Sequence, residues 1–104
     1  MMVATTDNLP GRNVTEALGV VFGSCVQMKH VGKDLRAMGR NVIGGESTPY
    51  TELVEEARRT AMNRMIEDAE KLGADAIIGM RYATAQTMHG AAELIAFGTA
   101  VKTH

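Results

Sequence analysis

Apolar positions in this chain recur with two different periods. From Leu18 to Val31 they fall on alternate residues, the spacing of a half-buried strand. Val20, Phe22, Ser24, Val26 and Met28 share one side, and Val21, Gly23, Cys25, Gln27 and Lys29 share the other. The first set is more apolar and is expected to face the core. Gly23 weakens the strand locally and marks either a bulge or a close backbone approach. From Pro49 to Leu72 the period becomes that of a helix. Tyr50, Leu53, Val54, Ala57, Ala61, Met65, Ala69 and Leu72 make one stripe, and charged residues fill the other faces. Glu55 with Arg59 and Glu67 with Lys71 stand in the favourable i,i+4 order, but each such pair contributes only ~0.2–0.5 kcal/mol, so packing must hold this helix. Gly73 is placed to end it.

Shorter patterns complete the chain. Met1–Thr6 reads as a strand, followed by a turn at Asp7-Asn8-Leu9-Pro10-Gly11. Leu35, Met38 and Val42 put a one-sided stripe on a short helix from Lys33 to Val42. Asp75–Thr84 reads as a strand, Gln86–Gly90 as a turn, and Ala92–Lys102 as a last strand with apolar groups on both sides. The fold class expected is α+β: a small, mainly antiparallel sheet with one long and one short helix. A single helical layer covers only one face of a sheet. The other apolar face needs a cover, for which a second copy of the chain is the simplest source.

Composition changes this picture little. At 104 residues the chain is read as a single domain, 1–104. Lys plus Arg number 11 against 12 Asp plus Glu, interspersed, so nothing in the charge calls for a nucleic-acid or membrane partner. One cysteine, Cys25, rules out an intrachain disulfide and suits the cytoplasm. Neither a secretory pattern nor an apolar run of ~20 residues is read in the sequence. Eight methionines suit a flexible core or a subunit interface rather than a thioether copper site.

Several fragments, taken in order, resemble the YbjQ-like family of small bacterial and archaeal proteins. They are Thr5-Thr6 with Pro10-Gly11, Gly19-Val20-Val21 with Gly23, and Ile43-Gly44-Gly45-Glu46-Ser47. Tyr50, Arg58 and Ala61 follow, then Leu72-Gly73-Ala74-Asp75-Ala76-Ile77-Ile78-Gly79 and Gly98-Thr99-Ala100-Val101-Lys102. The resemblance spans nearly the whole chain. It implies a dodecin-like subunit topology, assembly into a ring, namely a homopentamer, and the label "putative heavy-metal-binding".

Candidate chemistry is sparse. Gly44-Gly45-Glu46-Ser47 runs into the start of the long helix, where Ser47 or Thr48 can cap and Pro49 fits the first turn. It reads either as a tight loop or as a small-ligand site, with backbone N–H groups of Glu46–Thr48 aided by Arg40 or Arg58. Glu46 brings negative charge against an anion there. The possible soft ligands, Cys25, His30, Met88, His89 and His104, are scattered, and no Cys-x-x-Cys pair is present. Cys25 is either a small buried hydrophobe or a heavy-metal ligand shared between subunits about an axis. His89 reads as a loop histidine and His104 as a frayed terminus. Arg58 and Glu93 are expected to be partly buried, in an ion pair or a subunit contact. Asp75 is expected to fix the turn after the helix. No nucleophile, base and orienting group stand together, and aromatic residues are too few to argue for flavin. The expectation is a cytoplasmic homo-oligomer that is not an enzyme and that binds a metal ion or small ligand at subunit interfaces. The alternative is a structural or partner-binding ring without ligand. An enzyme using Arg58, Glu46 and Asp75 comes last.

Overall fold

The computed structural model describes residues 1–28, 48–88 and 91–104. The expected short helix at Lys33–Val42 and the loop Gly44–Ser47 lie outside these residues. The elements are β1 (Met2–Val3), β2 (Val14–Met28), α1 (Thr48–Lys71), β3 (Ala76–Met88) and β4 (Ala91–Thr103). They form one mixed sheet in the order β1-β3-β4-β2. β4 is antiparallel to both β2 and β3, and β1 is parallel to β3. β2 and β3 therefore run in the same direction with β4 between them. Gln86–Met88, expected in a turn, belong to β3, because pairing with β4 continues to Met88, and the rest of the expected turn, His89 and Gly90, lies outside the described residues. No helix among the described residues is long and apolar enough to cross a membrane.

The helix ends as its sequence directs. Gly73 takes φ +75°. Its N–H donates to the carbonyl of Glu70 at 2.9 Å, and the Ala74 N–H donates to that of Ala69 at 3.1 Å. This paired arrangement satisfies the last free carbonyls and turns the chain into β3. At the same end of the sheet, Pro10 and Gly11 close a turn in which Arg12 N–H donates to Leu9 C=O at 3.0 Å. The turn presses Leu9 onto Ala76 and Val101 as a small second core.

The main core corrects one expectation. The side of β2 that meets the helix carries Val21 and Gly23, and Val21 is fully buried. Val20, Phe22 and Val26, expected to face the core, are 59%, 57% and 52% exposed. The reason is how closely α1 approaches. A Cβ added at Gly23 would overlap the carbonyl O of Ala61 and the amide N of Met65. Helix backbone lies directly on strand backbone, so this interface takes small residues: Ala57, Ala61 and Ala69 on the helix, Gly23, Ala96 and Ala100 on the sheet. Met65 and Ile77 fill the space beside them. The predicted helical stripe is correct at Ala57, Ala61, Met65 and Ala69 and fails at Leu72, which is exposed at the helix end.

Gly23→Ala is expected to destabilise the fold by about 3 kcal/mol or more, at the upper end of overpacking costs, because the obstacle is backbone. Gly98→Ala should cost less, since its backbone obstacles, the Ile78 carbonyl O at 3.0 Å and the Met80 Cα at 3.3 Å, stand farther off than those at Gly23. Urea denaturation of the two variants checks the ranking, and equal midpoints would contradict it.

Candidate functional site

Of the predicted site residues, Cys25 and Arg58 lie among the described residues. Cys25 is a free, half-buried thiol near the end of β2, opposite Leu94 of β4. Alternation from Val21 and Gly23 puts it on the helix side of the sheet. Arg58 is exposed on α1, one position beyond Ala57, contrary to the partial burial expected. Its carbonyl accepts a long hydrogen bond from the Tyr82 hydroxyl at 3.4 Å. Glu93 is half-buried on the opposite face, where its strand partner on β2 is Val26. Gly44, Gly45, Glu46 and Ser47, together with His30 and His89, lie outside the described residues. Among the described residues, no three His, Cys, Asp or Glu side chains gather where they could hold a metal ion.

Asp75 and His104 have structural partners. Asp75 Oδ2 accepts the Thr103 N–H at 2.9 Å, so this carboxylate ties the start of β3 to the end of β4. His104, expected to fray, exchanges backbone hydrogen bonds with Asn13 in both directions, at 2.9 and 3.2 Å. The β2–β4 ladder thus runs to the last residue.

Arg64 and Asp68, one helical turn apart on α1, have a role that sequence reading missed. Phe22 N–H donates to Asp68 Oδ2 at 3.3 Å, and Arg64 Nη1 donates to the Ser24 carbonyl at 2.6 Å. Both backbone groups point away from β4, along the outer edge of β2. The helix therefore packs on the face of β2 and also satisfies part of its open edge. Only an acid and a base at i and i+4 are visible in the sequence. Nothing there says which strand edge they reach.

The face turned away from α1 carries several exposed apolar residues. Leu9 covers its lower end over Ala76 and Val101. Above that lie Val20, Phe22 and Val26, with Phe22 directly opposite Phe97, and Ser24 opposite Ile95. Three exposed large apolar side chains, Val20, Phe22 and Val26, thus share this face.

Comparison with known proteins agrees with the sequence fragments. A UPF0145 protein of Methanosarcina acetivorans is 53% identical over 102 residues, covering 98% of this chain and 96% of the relative. A UPF0145 protein of Archaeoglobus fulgidus is 55% identical over 98% of this chain and 94% of its own length. One from Vibrio campbellii is 50% identical over 98% of both. Among solved structures, a protein of unknown function in the DUF74 family from Pediococcus pentosaceus superposes with a TM-score of 0.65 at 17% identity, covering 100% of this chain and 98% of that one. That likeness supports the fold alone. The profile of the YbjQ family, described as "Putative heavy-metal-binding", matches residues 1–104, and the chain belongs to that family.

Proposed function

We propose that the chain is a cytoplasmic homo-oligomeric binding protein, a ring of dodecin-like subunits closed as a pentamer, that holds a metal ion or small ligand at its subunit interfaces and catalyses no reaction. The observation that carries this reading is the exposed apolar face of Val20, Phe22 and Val26. No described residue covers it, and a second copy offers apolar area of the same kind. The family description supports a metal as the bound species, and Cys25 is the soft ligand available for it. Gly44, Gly45, Glu46 and Ser47, with the exposed Arg58, are the residues proposed for a small ligand. A second reading, a structural or partner-binding ring with no ligand, is favoured by the scatter of possible ligands among the described residues.

Dilution should lower the melting temperature, because a subunit with an open apolar face is stabilised by its neighbours through mass action. A well-folded monomer at micromolar concentration in the ultracentrifuge would refute the oligomer. Phe22→Asp should weaken each contact by about 2 kcal/mol, roughly 30-fold in dissociation constant, and shift the sedimentation profile toward monomer. Metal content of protein taken from cells separates the two readings. Metal that disappears in Cys25→Ser supports the first, whereas metal absent from both forms supports the ligand-free ring.

A further inference from the structure

The sheet has open edges, and they are arranged to receive one another. β1 pairs with β3 only at its start, at Ala76 and Ile77. The N-terminal segment adds backbone bonds from Gly79 to Thr6 and from Met80 to Ala4, and Arg81 reaches the Thr5 carbonyl at 2.9 Å. Beyond that point no described residue flanks β3. Alternation from Met80 turns the backbone groups of Tyr82, Thr84 and Gln86 outward, and among the described residues none of these groups has a partner. Every residue from Arg81 to Gln86 is exposed.

The other outer strand, β2, is also partly open: among the described residues its outer edge has partners only where the helix reaches it. Asp68 and Arg64 satisfy Phe22 and Ser24. The next outward residue, Val26, is exposed and has no such partner among the described residues. The upper sheet is therefore a three-stranded ribbon, β3-β4-β2, whose two free edges run in the same direction.

We propose that the outer edge of β3, from Tyr82 to Gln86, pairs in parallel with the outer edge of β2 near Val26 on a neighbouring copy of this chain. Three observations select a second copy as the occupant. The β3 edge reads Tyr-Ala-Thr-Ala-Gln, without the charges or proline with which monomeric proteins blunt a free edge. Its complement is present on the same molecule, because β2 and β3 run in the same direction. A rotation about an axis along the strands brings one edge to the other without reversing either, and such a head-to-tail contact closes into a ring when the rotation closes. The exposed apolar face extends to the same place through Phe22 and Val26, so closure along the edges also curls that face inward. This inference rests on the ring reading above and adds the surfaces that join the copies.

Cys25 gives the test a built-in reporter. Cys25, Leu94 and Thr84 lie in one row across the sheet, on the helix side. Paired edges bring Cys25 of one copy within disulfide reach of position 82, 84 or 86 of the next. Tyr82→Cys, Thr84→Cys and Gln86→Cys are made singly with Cys25 retained, then oxidised mildly. At least one should shift the chains into a ladder of SDS-resistant multimers, and Cys25→Ser should abolish it. Dimers that form without Cys25 would mean that two β3 edges pair with each other and would overturn the proposal. So would the absence of cross-links in all three when sedimentation of the same samples shows an oligomer, a result that leaves the ring reading standing. A monomer in sedimentation overturns both. Thr84→Pro is an independent check, because its outward N–H takes no part in the β4 ladder. It should yield a folded subunit by circular dichroism that has lost assembly, whereas assembly retained in Thr84→Pro would sink the edge pairing.

Discussion

The architecture depends on the backbone contact at Gly23. Helix α1 lies so close to β2 that a single methyl at this position has no room. Such an approach works only if the contact is built from small residues: Ala61 lies against Gly23, and Ala61 and Ala69 share one core cluster with Ala96 and Ala100. The layer gains tight packing over a short distance. It gives up the bulky side chains that usually form a core, and these stand on the other face instead. Phe22, Phe97 and Ile95 face away from the only described helix. That no described residue covers this apolar face is thus a consequence of where the helix packs.

The polar contacts follow from the same position. A helix centred on an outer strand can reach round its edge, and Arg64 and Asp68 do so at Ser24 and Phe22. They satisfy that edge only beneath the helix. On the opposite side, the N-terminal segment satisfies β3 as far as Met80. Among the described residues the β3 edge is therefore closed as far as Met80 and open beyond it, while the β2 edge has partners only at Phe22 and Ser24, and Val26 carries that edge into the exposed apolar face.

Much of this was legible in the sequence. Period-two and helical spacing located the four strands and the long helix, and Gly73 marked where that helix stops. Ala57, Ala61, Met65 and Ala69 announced the buried stripe. The excess of apolar surface over helical cover could also be read. The side of β2 that faces the helix could not be read by counting apolar residues. Hydrophobicity ranks Phe22 above Gly23 for burial, but backbone proximity reverses the order, and a glycine's close approach becomes visible only when its neighbour is placed. The candidate site was less legible still. Arg58 borders the stripe yet points to solvent, and Asp75 and His104 proved to be fastenings because their partners, Thr103 and Asn13, come from distant segments.

The edge pairing and the metal reading constrain each other. If copies join through β3 and β2, successive Cys25 residues are separated by the width of three strands, about 14 Å at the usual spacing. Two thiolates that far apart cannot share one ion, since a zinc–sulfur bond is about 2.3 Å long. The new neighbours of Cys25 would be drawn from Tyr82, Thr84 and Gln86, which offer oxygen or amide groups and no soft donor. A tight soft-metal site at this junction would then need histidine or methionine from elsewhere in the assembly. Loss of metal in Cys25→Ser together with Cys25-dependent cross-linking to β3 would place that further ligand outside the paired edges. His30 and His89 are the first residues to substitute in that case.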